Sequence, residues 1–114
     1  MIRSIEEWTG YIHEWAHGKG FYQHSCLGDD VVAIDHCVHI SGSIAGQCML
    51  LVTEVAEAVE ADREDNVGLL REEVADVAIR LFDLCGALGI DLENEIALKM
   101  AKNEDRPFRH GKQY

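Results

Sequence analysis

Hydrophobic residues recur at helical spacing in four stretches of this 114-residue chain. The first stretch follows Ser4, with Glu7 at the spacing of a helix-capping box, and it ends near Gly18. The second begins at Ile44 and is interrupted at 62–66, where the letters DREDN break the apolar pattern. The predicted apolar faces are Ile5, Trp8, Ile12 and Trp15 in the first helix, and Ile44, Cys48, Leu51, Val52, Val55 and Val59 in the second.

The third and fourth stretches complete an all-α pattern. The third carries an apolar face from Leu70 onward, and we expect Gly86 and Gly89 to stop it. Asp91 can cap a fourth helix, which Pro107 prevents from continuing. Short connections favour antiparallel neighbours, so the sequence predicts an all-α antiparallel bundle of about four helices.

One segment, residues 28–46, has no clear element. Its β-branched run at Val31, Val32 and Ile34 fits a short strand, a helical turn or an ordered loop, and we expect a loop with a helical turn. A zinc site is a further interpretation of the polar side chains in and near this segment, but their spacing matches no closed tetrahedral motif. The side chains concerned are His24, His36, Cys37 and His39.

Composition and charge narrow the possible functions. The net charge of −11 and the pI near 4.8 disfavour binding to nucleic acid or to an anionic membrane, and they favour a cation beside any polyanionic substrate. No apolar run reaches the length of a membrane span, and the sequence MIRSIEEWTG lacks a signal-peptide core. The four cysteines are irregularly spaced, so we expect reduced thiols. These features predict a single domain over residues 1–114 in the cytoplasm.

Two pairs of carboxylates interrupt the apolar pattern of the second and third helices. Glu54 and Glu57 lie three residues apart, as do Glu73 and Asp76, so each pair shares one helix face. If these helices are antiparallel about a turn near Asp65, residues equidistant from that turn lie opposite one another. Glu57 then faces Glu73, and Glu54 faces Asp76. The spacing therefore predicts that four carboxylates converge between two helices.

Carboxylates placed so close together favour a bound cation. Like charges at short range repel and raise pKa values unless a cation lies among them, and all-oxygen ligands suit Mg²⁺ or Mn²⁺. For a single pair, a solvated acidic face is the alternative, whereas two pairs matched in level and embedded in apolar helices favour a metal site. A di-iron carboxylate site is disfavoured because it normally uses Glu-x-x-His motifs, and Glu57 and Asp76 stand where the histidines would be.

A basic cluster follows at the C-terminal end. Lys99 and Asn103 share a helix face, and Arg106 follows three residues later. Together with Arg80, one turn after Asp76, these side chains supply the donors that a metal-bound triphosphate needs. A charged terminus is the alternative for the tail alone. The aromatic candidates for stacking on a nucleobase are Trp15 (otherwise a core residue), Phe21 and Tyr22.

With these residues in place, the chain resembles the MazG-like nucleoside triphosphate pyrophosphohydrolases, an all-α family whose signature is E-x-x-E, a spacer and E-x-x-D. The matching segments are EVAE at 54–57 and EEVAD at 72–76. The likeness extends to LLVTEVAEAVEADR, to EEVADVAIRLFDL, and to KMAKNEDRPFRHGK, where the family often shows K-x-x-x-N-x-x-R-P. The early EWAHGKGFY resembles the aromatic-rich first helix and following turn of small members. These segments cover roughly half of the chain.

The resemblance implies a Mg²⁺-dependent enzyme that hydrolyses an NTP or dNTP between the α and β phosphates, giving the monophosphate and pyrophosphate. It implies that four carboxylates are the metal ligands and catalytic residues, and that three tail residues contact phosphates. Family members form dimers or tetramers with sites near subunit interfaces, so we expect a homodimer or homotetramer whose core is completed by oligomerisation. The residues carried over are Glu54, Glu57, Glu73 and Asp76 for the metal, and Lys99, Asn103 and Arg106 for the phosphates.

Two departures from the family pattern leave questions open. Thr53 stands where the fuller motif often has a glutamate, and residues 28–46 have no clear counterpart, which leaves the nucleobase open. The water-orienting base remains open between Glu54 and Glu57. The expected role is nucleotide-pool sanitation or dNTP control. The alternative, which only Thr53 favours, is a non-catalytic helical module that binds nucleotides or other proteins.

Overall fold

A computed structural model describes residues 2–20 and 43–107, and within these ranges the chain forms four α-helices and no strand. The helices are α1 (Ile5–Gly18), α2 (Ile44–Arg63), α3 (Val67–Leu88) and α4 (Leu92–Glu104). The all-helical prediction is therefore confirmed for the described part of the chain. None of these four helices is both long enough and apolar enough to cross a membrane. The predictions for 28–42, for Phe21 and Tyr22, and for the zinc alternative at 24–39 lie outside the described residues.

Side-chain caps fix where each helix begins, as the sequence indicated for two of them. The hydroxyl of Ser4 accepts a hydrogen bond from the backbone N–H of Glu7, and the Glu7 side chain accepts one from the N–H of Ser4, which completes the capping box. The carboxylate of Asp91 accepts from the N–H of Asn94 at the start of α4. At the starts of α2 and α3 the same task falls to Ser43 and Asn66.

Helices α2 and α3 pack together as an antiparallel hairpin joined by a very short turn. Asp65 in that turn adopts a left-handed backbone conformation with φ of 55°, and Asn66 begins the next helix. The turn lies where the break in the apolar pattern predicted it. Helix α1 packs against α3, and α4 contacts α1.

The two glycines near the end of α3 have different roles, which corrects one expectation. Gly89 takes the left-handed conformation that ends the helix, with φ of 67°. Gly86 does not stop the helix but lies inside it, facing α1. A Cβ added at Gly86 would lie 2.5 Å from Cβ of His13, so the absence of a side chain is what lets α1 and α3 approach so closely.

Most of the apolar stripe predicted for α2 is exposed, and Leu51 is its one half-buried member. Val52, Val55 and Val59 are 45–54% exposed, whereas Gln47 and Ala61 on the neighbouring side of the helix are buried. The less exposed side of α2 therefore combines leucines with small and polar residues: Leu50, Leu51, Glu54 and Ala58 are half-buried. The sequence pattern was wrong about the packed face because two faces of α2 are apolar, and hydropathy does not tell which one meets α3.

Candidate metal centre and adjoining cavity

Three of the four predicted carboxylates meet between α2 and α3. One oxygen from each of Glu54, Glu57 and Glu73 lies within 4.8 Å of the others, and we call these residues the carboxylate cluster. The cluster forms because the antiparallel hairpin brings the E-x-x-E turn of α2 level with the start of the E-x-x-D turn of α3. Glu57 and Glu73, which are equidistant from the turn, therefore lie close together, as the spacing predicted.

Glu73 occupies the least favourable position for a negative charge in the carboxylate cluster. The pKa of Glu73 is raised from 4.5 to about 7, first by burial, then by a side-chain hydrogen bond with Glu57 and by the negative charges of Glu57, Asp76 and Glu54. Its Oε2 atom is out of contact with water and has no hydrogen-bond partner among the described residues. A buried acceptor without a donor is costly, so this oxygen is a ligand atom that a cation would satisfy.

Asp76 lies beside the carboxylate cluster rather than within it. Its charge raises the pKa of Glu73, and its side chain lines a cavity next to Glu54. The spacing predicted that Asp76 approaches Glu54. In the structure both side chains line the same cavity, and Asp76 lies about one helical turn after Glu73 on α3. Of the four carboxylates, three share the tightest grouping and the fourth is their neighbour.

Arg80 points into the same region and pairs with a member of the carboxylate cluster. Its Nε atom donates a hydrogen bond to Oε1 of Glu54 over 3.3 Å. The Glu54 side chain is only 13% exposed, so the guanidinium supplies charge compensation that water cannot fully provide there. The sequence predicted Arg80 as a phosphate contact; in the structure Arg80 lines a cavity together with Glu54, and its role there stays a prediction.

A cavity of about 180 Å³ opens where α1, α2 and α3 meet. It has an apolar wall from α1 and part of α3, and a polar wall that carries Glu54 and Arg80. Trp15 is 46% exposed and belongs to the apolar wall, so it is not the core residue that its helical pattern also allowed. The lining residues are Ile12, Trp15, Ala16, Glu54, Asp76, Ile79, Arg80 and Asp83.

The sequence pattern did not predict a polar pair that joins α1 to α3 and includes the cavity-lining residue Asp83. Nδ1 of His13 lies 2.9 Å from Oδ1 of Asp83, and the Asp83 side chain is only 6% exposed. Since a carboxylate only accepts, Nδ1 of His13 is the donor. A signal for this pair was present, because Asp83 continues the series Asp76 and Arg80 on one helix face within the apolar letters LFDLCG.

The predicted phosphate contacts of the tail lie on or just beyond α4. Lys99, Asn103 and Arg106 are described, but none of them lines the cavity or belongs to the carboxylate cluster. Helix α4 contacts α1. Within one copy of the described chain, therefore, these three tail residues and the carboxylate cluster do not form one site.

The donor set of the carboxylate cluster fits a hard divalent cation. Mg²⁺ binds oxygen at about 2.0–2.1 Å and needs few protein ligands because it keeps waters and takes substrate phosphates. Three glutamate oxygens within 4.8 Å of one another match that requirement after small side-chain movements, and Glu73 also has a buried oxygen without a donor among the described residues. No histidine or cysteine of the described residues joins the grouping, which disfavours softer metals.

Comparison with known proteins adds no assignment to this geometry. A scan against protein-family models, a search of curated proteins and a search of solved structures each return no match for this chain.

Proposed function

We propose that the chain is a Mg²⁺-dependent nucleoside triphosphate pyrophosphohydrolase that converts a (d)NTP to the (d)NMP and pyrophosphate. One observation carries the proposal: three carboxylates from two helices meet beside a partly apolar cavity, and one of them, Glu73, has a buried oxygen without a hydrogen-bond donor among the described residues. The motif likeness to the MazG-like enzymes supports the same reading. The expected role is control or sanitation of the nucleotide pool in the cytoplasm.

The acidic chain needs a bound cation if a triphosphate is to bind beside the carboxylate cluster. With a net charge of −11 the protein repels a triphosphate, and the carboxylate cluster adds local negative charge. Mg²⁺ or Mn²⁺ held by Glu54, Glu57, Glu73 and Asp76 would neutralise that charge and stabilise the charge that develops on the phosphates. A glutamate that is not fully used by the metal, either Glu54 or Glu57, orients the attacking water.

Cationic side chains complete the proposed phosphate site. Arg80 is already at the cavity, and its guanidinium can turn from Glu54 towards a phosphate oxygen once a metal compensates the glutamate. Lys99, Asn103 and Arg106 stabilise the departing pyrophosphate in the proposed site. Because they are not at the cavity of their own copy, we propose that they reach it from another copy in a homodimer or homotetramer.

Exposed apolar residues support that assembly. The valine ridge of α2, formed by Val52, Val55 and Val59, has no cover among the described residues, and several apolar side chains of α4 are exposed as well. Few large side chains are buried in one copy: the buried apolar residues of the described chain are Ile12, Ala16, Ala61, Leu84 and Cys85. So small a core favours further burial between copies.

The test is direct measurement of the products. The purified protein is incubated with a panel of NTPs and dNTPs and with Mg²⁺, and pyrophosphate and orthophosphate are quantified separately. Pyrophosphate and the monophosphate in equal amounts are the expected result. Orthophosphate as the first product would overturn the proposed chemistry, and nucleotide binding without turnover would favour the non-catalytic module.

Two variants tie the activity to the site. Glu73→Gln and Asp76→Asn should each abolish turnover, because each removes a charge from the metal ligands, while circular dichroism shows unchanged helix content. The matched control is Glu72→Gln, which removes the same charge from the exposed neighbour of Glu73. Hydrolysis retained in both site variants would refute the proposed metal centre.

A further inference from the structure

Asp83 is a buried carboxylate for which the proposed metal and phosphate chemistry has no use. Its Oδ1 accepts the hydrogen bond from His13, and among the described residues its Oδ2 accepts none. The side chain is 6% exposed and lines the cavity. A carboxylate that is largely removed from water is stabilised by each hydrogen bond that its oxygens accept. The free oxygen is therefore a specific acceptor presented to whatever enters the cavity.

The other walls of the cavity indicate what kind of group enters. Ile12, Ile79 and the half-exposed Trp15 line the cavity with apolar and aromatic surface, which suits a flat heterocyclic ring. The volume of about 180 Å³ is smaller than the roughly 300–1,000 Å³ of pockets that enclose whole drug-sized ligands. The cavity therefore suits a single ring system, with the rest of the ligand lying outside.

The order of residues along α3 gives that ligand a direction. Asp76, Arg80 and Asp83 follow one face of the helix, and a rise of 1.5 Å per residue puts Asp83 about 10 Å from Asp76. The carboxylate cluster lies at the Asp76 end. A nucleotide likewise carries its phosphates at one end and its base at the other. Phosphates held at the carboxylate cluster would leave the base beside Asp83.

We propose that Asp83 reads the nucleobase of the substrate by accepting a hydrogen bond from an exocyclic amino group. The proposal rests on the proposed function, for which it narrows the substrate class to nucleotides with amino-bearing bases. A carboxylate accepts from an amino group, as aspartate and glutamate do from the N4 amino group of cytosine. It repels the carbonyl oxygen that takes the place of the amino group in uracil or hypoxanthine. Trp15 stacks on the ring.

The experiment uses nucleosides, which have no phosphate, and omits metal. The full chain carrying Trp8→Phe keeps Trp15 as its single tryptophan, so the indole resonance of Trp15 reports binding in NMR titrations. Deoxycytidine is compared with deoxyuridine, and deoxyadenosine with deoxyinosine. We expect the amino-bearing member of each pair to bind at least about fivefold more tightly, the low end of what one good base contact contributes.

A matched pair of variants assigns the discrimination to one side chain. Asp83→Asn keeps an acceptor for His13 and adds an amide donor, so the preference for deoxycytidine over deoxyuridine should disappear or reverse. Asp62→Asn removes the same charge from an exposed position on α2 and should leave the ratio unchanged. If Asp83→Asn fails to fold, the comparison of nucleosides on the parent protein still decides.

The outcomes separate this inference from the proposed function. Equal affinities within both nucleoside pairs, or no shift of the Trp15 resonance, would overturn base reading by Asp83 even if pyrophosphate is released from triphosphates. Discrimination between the nucleosides that Asp83→Asn removes would sustain it even if no triphosphate is hydrolysed. In that second case the chain would bind amino-bearing nucleotides without cleaving them.

Discussion

Nε of Arg80 lies 3.3 Å from Oε1 of Glu54, so one glutamate of the carboxylate cluster already has a cationic partner within the chain. The two residues are 26 positions apart and meet only because α2 and α3 fold back on each other. A guanidinium and a metal ion would therefore both interact with Glu54. In the proposed function, the positive charge of Arg80 strengthens the binding of phosphates but weakens the binding of Mg²⁺.

This sharing predicts effects of opposite sign for Arg80→Gln. Removing the positive charge should tighten Mg²⁺ binding to the nucleotide-free protein, because the carboxylate cluster loses its internal counter-charge. It should also lower kcat/KM for triphosphates by about tenfold or more, in line with the loss of one charged hydrogen bond to a phosphate. Calorimetry with Mg²⁺ and steady-state kinetics measure the two effects.

Arg63→Gln is the control for Arg80→Gln. Arg63 pairs with Glu60 over 3.7 Å on the exposed surface of α2, and both side chains are more than half exposed. The variant changes the net charge equally but should alter neither quantity beyond a small general effect of charge. If both variants tighten Mg²⁺ binding to the same extent, Arg80 does not act through Glu54.

The raised pKa of Glu73, about 7, predicts how stability depends on pH without metal. Between pH 4.5, the ordinary value, and about 7, the folded protein holds a proton at Glu73 that the unfolded chain has released. The free energy of unfolding contributed by this group is therefore greatest at low pH and falls as pH rises through 7. Urea midpoints measured in EDTA from pH 4.5 to 8 should show this fall.

Glu73→Gln isolates the contribution of that one carboxyl group. A glutamine stays neutral at every pH, so the decline above pH 4.5 should be smaller than in the parent protein. Mg²⁺ should likewise reduce the decline, and its affinity should rise as pH passes 7, since the ligand must first lose its proton. A decline of the same size in the parent protein and in Glu73→Gln would show that Glu73 is not the titrating group.

The close approach of Gly86 to His13 predicts that a single methyl group disturbs the packing of α1 on α3. Gly86→Ala would place its Cβ 2.5 Å from Cβ of His13, an atom that side-chain rotation cannot move away. We expect a net loss of about 1–3 kcal/mol in the free energy of unfolding, the range for overpacked interiors. Urea unfolding with an unchanged m value would measure it.

Gly10→Ala provides the opposite expectation in the same helix pair. A Cβ at Gly10 meets no atom of the described residues within 4 Å, and Gly10 lies in the middle of α1. This variant should stabilise the protein by about 0.5–1 kcal/mol, because alanine is the better helix former. If the two variants shifted stability in the same direction, steric contact at Gly86 would not be the cause.

The valine ridge of α2 predicts a change in assembly when charge is introduced. Val55 lies at the centre of the ridge and is 45% exposed in one copy. Val55→Lys should shift the protein from dimer or tetramer to monomer in sedimentation experiments, since a lysine cannot be buried unpaired between apolar surfaces. Thr53→Lys adds the same charge on another face of α2 and should leave the assembly intact. A monomeric parent protein would refute the proposed oligomer.

Local spacing predicted much of the fold because helix caps and breaks are local events. The capping box at Ser4, the turn near Asp65 and the cap at Asp91 each depend on hydrogen bonds within about four residues. The approach of Glu57 and Glu54 to the third helix also followed, because a short turn between antiparallel helices leaves little freedom in their register. The roles assigned to these residues, the metal and the reaction stay predictions.

Tertiary packing decided what the one-dimensional pattern left ambiguous. Both sides of α2 are apolar enough to be buried, and only the position of α3 determined that the side with Glu54 packs while the side with Val55 is exposed. The same packing turned Gly86 from an expected helix end into a contact with His13. It also joined His13 to Asp83, which are 70 residues apart.

The sequence by itself determined that α1 begins after Ser4, that α4 begins after Asp91 and that a turn near Asp65 separates α2 from α3, because those signals act over a few residues. It also determined which carboxylates stand level across the hairpin, since helical rise and turn length set their register. Only the tertiary structure decided which faces meet, how Arg80 and Glu54 pair, and where the cavity opens. Those outcomes depend on shape and on the approach of distant segments, neither of which a residue pattern contains.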